Sequence, residues 1–341
     1  MKKLLTVFII LILSMTVFAG DAARKGTAGA DQLLIPVGAR SIATGGAFNS
    51  HFIGVESIYS NPAGLDRMQG TEAMFNFMNY IADIDVSYFA IGAKTGIGSI
   101  ALTYKGINFG DIPVTTNQNP DGTGQFYSPS YFVLGLTYSK IITDRISAGA
   151  NFSFINEAIM NTGASGWAID FGVQYRFAPN FSLGVAVKNI GGNMEYTGED
   201  LKTKVEVPDA ALGGGKGVYE VDTEPFQIPS YFEMSLGYTF EFNEDNDLSI
   251  GGVFRNNNNL EDEIRGGIEY NFLKTLYLRG GYVYQIDLED RANQETYNWS
   301  VGAGVSFDLM NSVNIVFDYA FRNVENLPSD NHVFTLLLGV N

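Results

Sequence analysis

The feature that most restricts this chain is a two-residue alternation that recurs from residue 71 to the end. Along Tyr297–Leu309, the residues Tyr297, Trp299, Val301, Ala303, Val305, Phe307 and Leu309 share one face. Asn298, Ser300, Gly302, Gly304, Ser306 and Asp308 share the other. Period two held this long defines a strand with one apolar and one polar side. It is also long enough to cross a bilayer, which takes roughly 9–11 tilted residues. The same alternation carries Asp170, Arg176, Glu233, Arg265, Glu269, Arg279 and Asp318 on the polar side of their segments. A charge on the lipid face near mid-bilayer costs roughly 2–4 kcal/mol, so these side chains are expected to face a lumen.

The connections provide a second, independent sign. About fourteen alternating segments fit into residues 71–341, the even number that a closed antiparallel barrel favours. Short turns are expected at 94–97, 142–145, 178–180, 243–246, 273–275 and 310–311. Longer loops are expected at 110–129, 157–165, 191–229, 257–261, 287–295 and 323–330. Short and long alternate from the second strand onward, with 80–82 the only short connection on the loop side. A barrel with short periplasmic turns and longer outer loops has that parity, and a soluble sandwich does not need it. The expected fold is an all-β transmembrane antiparallel barrel of about 14 strands in the outer membrane of a Gram-negative-type bacterium.

Composition agrees and excludes several functions. Aromatic residues make up 13% of the chain and glycine supplies 39 positions, which suits interfacial girdles and a crowded lumen. Lys2, Lys3, the apolar run 4–13 and Val17-Phe18-Ala19 form a secretory leader over residues 1–19. Taking its two lysines from the total of 21 basic residues leaves 19 against 37 acidic ones. Nucleic acid, whose phosphates need a basic face, is therefore not an expected partner. With no cysteine and only His51 and His332, neither thiol chemistry nor a thiolate or imidazole metal site can be assembled. No cofactor and no catalytic group is expected: His332 has Ser329 nearby in sequence but no third orienting residue. In the longest loop, Gly213-Gly214-Gly215-Lys216-Gly217 lacks the spacing of a phosphate-binding loop.

Residues 20–70 precede the strands, and their central stretch 38–65 does not alternate. Gly45, Gly46, Gly54 and Gly64 interrupt it, and Asn61-Pro62 starts a turn. Barrels of about eight strands fill their bore with side chains and those of about sixteen leave an aqueous channel, so fourteen leaves a space that something must occupy. The words in this stretch are Ala39-Arg40-Ser41, Thr44-Gly45-Gly46-Ala47-Phe48 and Tyr59-Ser60-Asn61-Pro62-Ala63-Gly64-Leu65. They resemble the amino-terminal signature of the PorV/PorQ family of outer-membrane proteins, which belongs with the FadL-type barrels. Thr44 replaces a usual methionine, and Ile53-Gly54 replaces a common acidic pair. The resemblance implies that the segment folds inward as a plug, with Arg40, Gly45, Gly46, Tyr59, Asn61, Pro62, Ala63 and Gly64 as its motif.

Two roles follow from that resemblance. PorV/PorQ implies an accessory of type IX secretion that binds or hands over exported proteins, besides contacting outer-membrane lipid. FadL implies passive uptake of a hydrophobic small molecule. Loops 110–129 and 191–229 read as polar, which argues against a deep apolar capture site and favours the secretion role. The lumenal charges are expected to form a mutually paired wall that holds the plug, with a transport path as the alternative.

Overall fold

Each alternating segment pairs with its neighbours in sequence, and the last returns to the first. The computed structural model describes residues 26–206, 216–286, 296–309, 312–327 and 329–340. The leader, the glycine run 213–215, loop 287–295 and the turn 310–311 lie outside the described residues. Fourteen strands form the wall: β1 Thr71–Asn79, β2 Asp85–Thr95, β3 Gly98–Asn108, β4 Ser130–Ile141, β5 Ile146–Ile159, β6 Thr162–Ala178 and β7 Phe181–Gly191. The second half is β8 Tyr231–Asn243, β9 Asn246–Asn257, β10 Glu263–Phe272, β11 Leu276–Gln285, β12 Tyr297–Leu309, β13 Val313–Val324 and β14 Asn331–Val340. All pairings are antiparallel, and β1 closes on β14 with Thr71 opposite Val340 and Asn79 opposite His332. Closure leaves no unpaired sheet edge, which is what makes a sheet admissible in lipid.

Burial is inverted relative to a soluble domain. Outward residues such as Val301, Phe307, Phe317 and Leu278 are exposed, whereas inward Glu233, Glu269, Arg279, Ser300 and Asp318 are buried. The apolar outer belt is the surface that lipid solvates, and the polar residues are enclosed because the bore is filled.

One expected loop is not a loop. Residues 157–165 continue β5 and β6, joined by a two-residue turn at Met160 and Asn161. Ala158, Gly163, Ala164 and Ser165 are small residues that break the alternation and mimic a loop. Ala164 and Ala168 instead pack inward against Met194, Ile228 and the plug residues Ala30 and Leu33. The alternation of short and long connections therefore fails at this hairpin as well as at the first.

The filling is the amino-terminal segment. It carries a 3₁₀ turn Asp31–Leu33, a short α-helix Ala39–Ala43 (α1), and 3₁₀ turns Gly54–Ser57 and Pro62–Arg67. Asn61 caps the last turn by accepting from the Ala63 N–H at 3.1 Å, and Pro62 stands at its first position. The segment runs the length of the bore. At the loop end the Gly29 N–H donates to the Gln227 carbonyl at 3.0 Å. At the turn end Asp66 accepts from Ser99 Oγ at 2.6 Å and from the Ile141 N–H at 2.7 Å.

Candidate functional site

The plug is seated on a belt of wall glycines. Gly149, Gly172, Gly184, Gly237, Gly251, Gly267, Gly281 and Gly302 supply one inward glycine from each of the eight strands β5 to β12. A Cβ on any of them would come within 3.0 Å of an atom in the plug stretch 43–62. Gly149 faces Pro62, Gly172 faces Asn61, Gly237 faces His51, and Gly267 and Gly281 face Thr44 and Gly45. Only a wall without side chains at those positions lets two backbones approach so closely. The plug answers with its own glycines: Gly45 and Gly46 have φ of 63° and 70°, which lets the chain turn off the end of α1 against the wall.

Charge fixes the seat. Arg40 lies in a chain of buried ion pairs and makes a bidentate contact to Glu269, both bonds at 2.8 Å, with a third bond to Glu56 at 3.0 Å. Arg279 donates to the same Glu269 at 2.6 Å and to Asp318 at 2.5 Å. Burial disfavours the Arg40 charge, but Glu269 and Glu56 more than offset this and hold it well above the ordinary guanidinium value. Arg265 pairs with Glu263 at 2.5 Å, and Arg255 with Glu233 at 2.5 Å. Asp170 accepts from Lys188 Nζ and the Asn189 N–H, each at 2.7 Å.

The motif residues have separate tasks. Tyr59 donates to the Leu33 carbonyl at 3.2 Å, and burial pushes its phenol up to about 12, so it remains a donor at neutral pH. Its ring lies 4.8 Å beneath the Lys105 ammonium, which also donates to the Ile35 carbonyl at 2.8 Å. Asn61 reaches across two strands and donates to the carbonyls of Val173 and Val185 at 3.1 and 3.3 Å. The Ala63 carbonyl accepts from Ser139 Oγ at 3.1 Å, and Gly64 admits the Phe52 carbonyl where a Cβ would clash. His51 is neutral at neutral pH because burial lowers it to about 4. Arg176 stands apart from these groups: it is exposed at the turn-end rim and makes no ion pair among the described residues.

Sequence reading had not singled out Lys105, Lys188, Arg255, Asn49 or Asp66. Strand parity places the first three inward and could have found them. No sequence signal marks Asn49 or Asp66, whose partners lie on distant strands.

Two cavities remain at the loop end of the plug. One, of about 550 Å³, is bounded by Ile35, Ile84, Ile107, Phe109, Tyr131 and Phe226. Its polar corner holds Glu157, which accepts from Gln32 Nε2 at 2.7 Å and from the Tyr196 hydroxyl. The expectation that the polar character of loop 191–229 argues against an apolar capture site is thereby corrected. Met194, Tyr196, Phe226 and Ile228 are scattered along that loop, and a bridge between Met194 and Phe226 gathers them over the mouth. The other cavity, of about 370 Å³, is walled by Tyr59, Tyr231, Arg255, Arg265, Tyr297 and Arg322.

The chain is thus a closed fourteen-strand antiparallel barrel filled by its own amino-terminal segment. Three solved structures share the fold. The Pseudomonas putida toluene transporter TodX matches with a TM-score of 0.56 and 14% identity, over 88% of this chain and 96% of that chain. A Pseudomonas aeruginosa FadL homologue matches with 0.55 and 12%, over 90% and 98%. The Ralstonia pickettii toluene transporter TbuX matches with 0.51 and 14%, over 89% and 98%. No protein-family model matches the sequence, and no curated protein does either.

Proposed function

We propose that this protein is an outer-membrane channel for passive uptake of a small hydrophobic molecule, which is captured above the plug and passed inward. The observation that carries the reading is the apolar cavity at the loop end, one wall of which is the plug itself at Ile35. A concave, mostly apolar pocket with a few convergent polar groups is the ordinary form of a small-molecule site. The three matched structures include two toluene transporters, which agrees with this role and favours it over the secretion accessory implied by the motif resemblance.

Two measurements test the reading. Outer-membrane vesicles carrying the protein should accumulate radiolabelled toluene faster than vesicles without it. Phe109→Asp, which puts a carboxylate into the apolar cavity, should remove most of that gain while the barrel still shows heat-modifiable migration on gels. Toluene uptake that ignores both the protein and the substitution would overturn the assignment. Orientation is checked separately: protease sites placed in loops 110–129 or 191–229 should be cut on intact cells, and sites at the 179–180 or 244–245 turns should be protected. The reverse pattern would mean the chain is inverted.

A further inference from the structure

The polar corner of the 550 Å³ cavity carries charge of one sign. Asp31 and Glu157 line the cavity, and among the described residues no lysine, arginine or histidine does. Glu157 is 2% exposed, and both its oxygens accept from neutral donors, Gln32 Nε2 and the Tyr196 hydroxyl. Those bonds leave its charge without a counter-ion, and a buried carboxylate in that state is costly unless a cation arrives. Asp31 is exposed, and its carboxylate makes no hydrogen bond or ion pair among the described residues. Desolvation on its packed side, and then the field of Glu157, raise its carboxyl above the ordinary value.

Neighbouring cations are committed elsewhere. Lys105 donates to the Ile35 carbonyl and stands over the Tyr59 ring, and Lys188 pairs with Asp170. In the 370 Å³ cavity, which Asp31 also lines, Arg255, Arg265 and Arg322 stand against Glu233, Glu261 and Glu263. The anionic excess therefore remains at Asp31 and Glu157. Rings frame the same corner: Phe109 meets Tyr131 edge-on with centroids 4.9 Å apart, and Tyr196 meets Phe226 at 5.5 Å. Aromatic faces beside carboxylates are the surroundings that an organic ammonium prefers.

We propose that this cavity selects a protonated arylalkyl amine and rejects a carboxylate of the same shape, with the ammonium on Asp31 in the field of Glu157 and the ring against Ile84, Ile107, Phe109 and Phe226. The assignment rests on the uptake reading and deepens it by naming the ligand class of the same cavity. Toluene fills the apolar wall but leaves both anions unmet, so it probes the route without being the preferred ligand.

The test is calorimetric titration of the full-length chain, purified in neutral detergent at neutral pH, with 2-phenylethylamine, 2-phenylethanol and 3-phenylpropanoate. These share one apolar body and differ in charge. Wild type should bind the amine more tightly than the alcohol by about tenfold or more, since hydrogen bonds between charged groups exceed those of neutral ones. The acid should not bind. Asp31→Asn and Glu157→Gln should each bring the amine and alcohol affinities toward parity. Glu157→Asp, which keeps the charge, should keep most of the preference, and so separates loss of charge from loss of packing. An amine that binds wild type no better than the alcohol, an acid that binds as tightly as the amine, or a preference that survives Asp31→Asn and Glu157→Gln together would overturn the site. If the amine preference is absent while toluene uptake and its sensitivity to Phe109→Asp persist, this inference falls and the uptake reading stands. If toluene uptake fails while the amine binds through Asp31 and Glu157, the site stands and the uptake reading falls.

Discussion

Deletion of residues 38–65 should convert a barrel that conducts poorly in planar bilayers into one that passes ions freely. The wall strands begin at Thr71 and close on one another without help from the plug, so the deleted chain should still assemble. What it loses is the filling of a fourteen-strand bore, which lies between the packed eight-strand barrels and the open sixteen-strand porins. Once Arg40 is removed, Glu269 keeps only Arg279 and faces water, which solvates it. A milder form of the same experiment uses the glycine belt. Gly281→Leu puts a side chain where Thr44 and Gly45 now touch the wall, and Gly172→Leu does so at Asn61 and Pro62. Either should lift the plug locally and raise conductance while the barrel stays folded. Wild-type conductance like that of an open porin would show that the segment does not close the bore.

Val305→Arg should block membrane assembly, and Ser306→Arg, one residue along, should be tolerated. Val305 pairs across β12 and β13 with Phe317 and across β11 with Leu276, both exposed on the apolar outer belt. A cation there faces lipid, at a cost that reaches roughly 2–4 kcal/mol at mid-bilayer and falls toward the interfaces. Ser306 points the other way, where it accepts from Asn314 Nδ2 at 3.0 Å near the turn-end mouth. Heat-modifiable migration on gels reads folding for both. Equal folding of the two variants would mean the register of β12 is wrong, because a one-residue slip exchanges its faces.

How much of this was legible beforehand depends on the range over which each feature acts. Alternation is local, so strand number and facing could be read residue by residue. Asp170, Glu233, Arg265, Glu269, Arg279 and Asp318 point inward because any other direction would put a charge into lipid. Parity failed at the first hairpin and at 157–165, where the small residues Ala158, Gly163, Ala164 and Ser165 look like a loop; of these only Ala164 is buried, under residues of loop 191–229 and the plug. The apolar cavity was missed for the same reason, since Met194 and Phe226 meet only when that loop folds back.

The order of the wall, the direction its side chains face and the presence of a non-strand segment that needs a place inside were therefore determined by the sequence alone. Backbone sterics and the cost of polar groups in lipid act between neighbouring residues, and leave a periodic trace. Only the tertiary structure decided that eight glycines on eight strands form one seat. It alone decided that Arg40 meets Glu269, 229 positions away in the chain. Those relations arise from barrel closure, which brings together residues whose spacing in sequence carries no period.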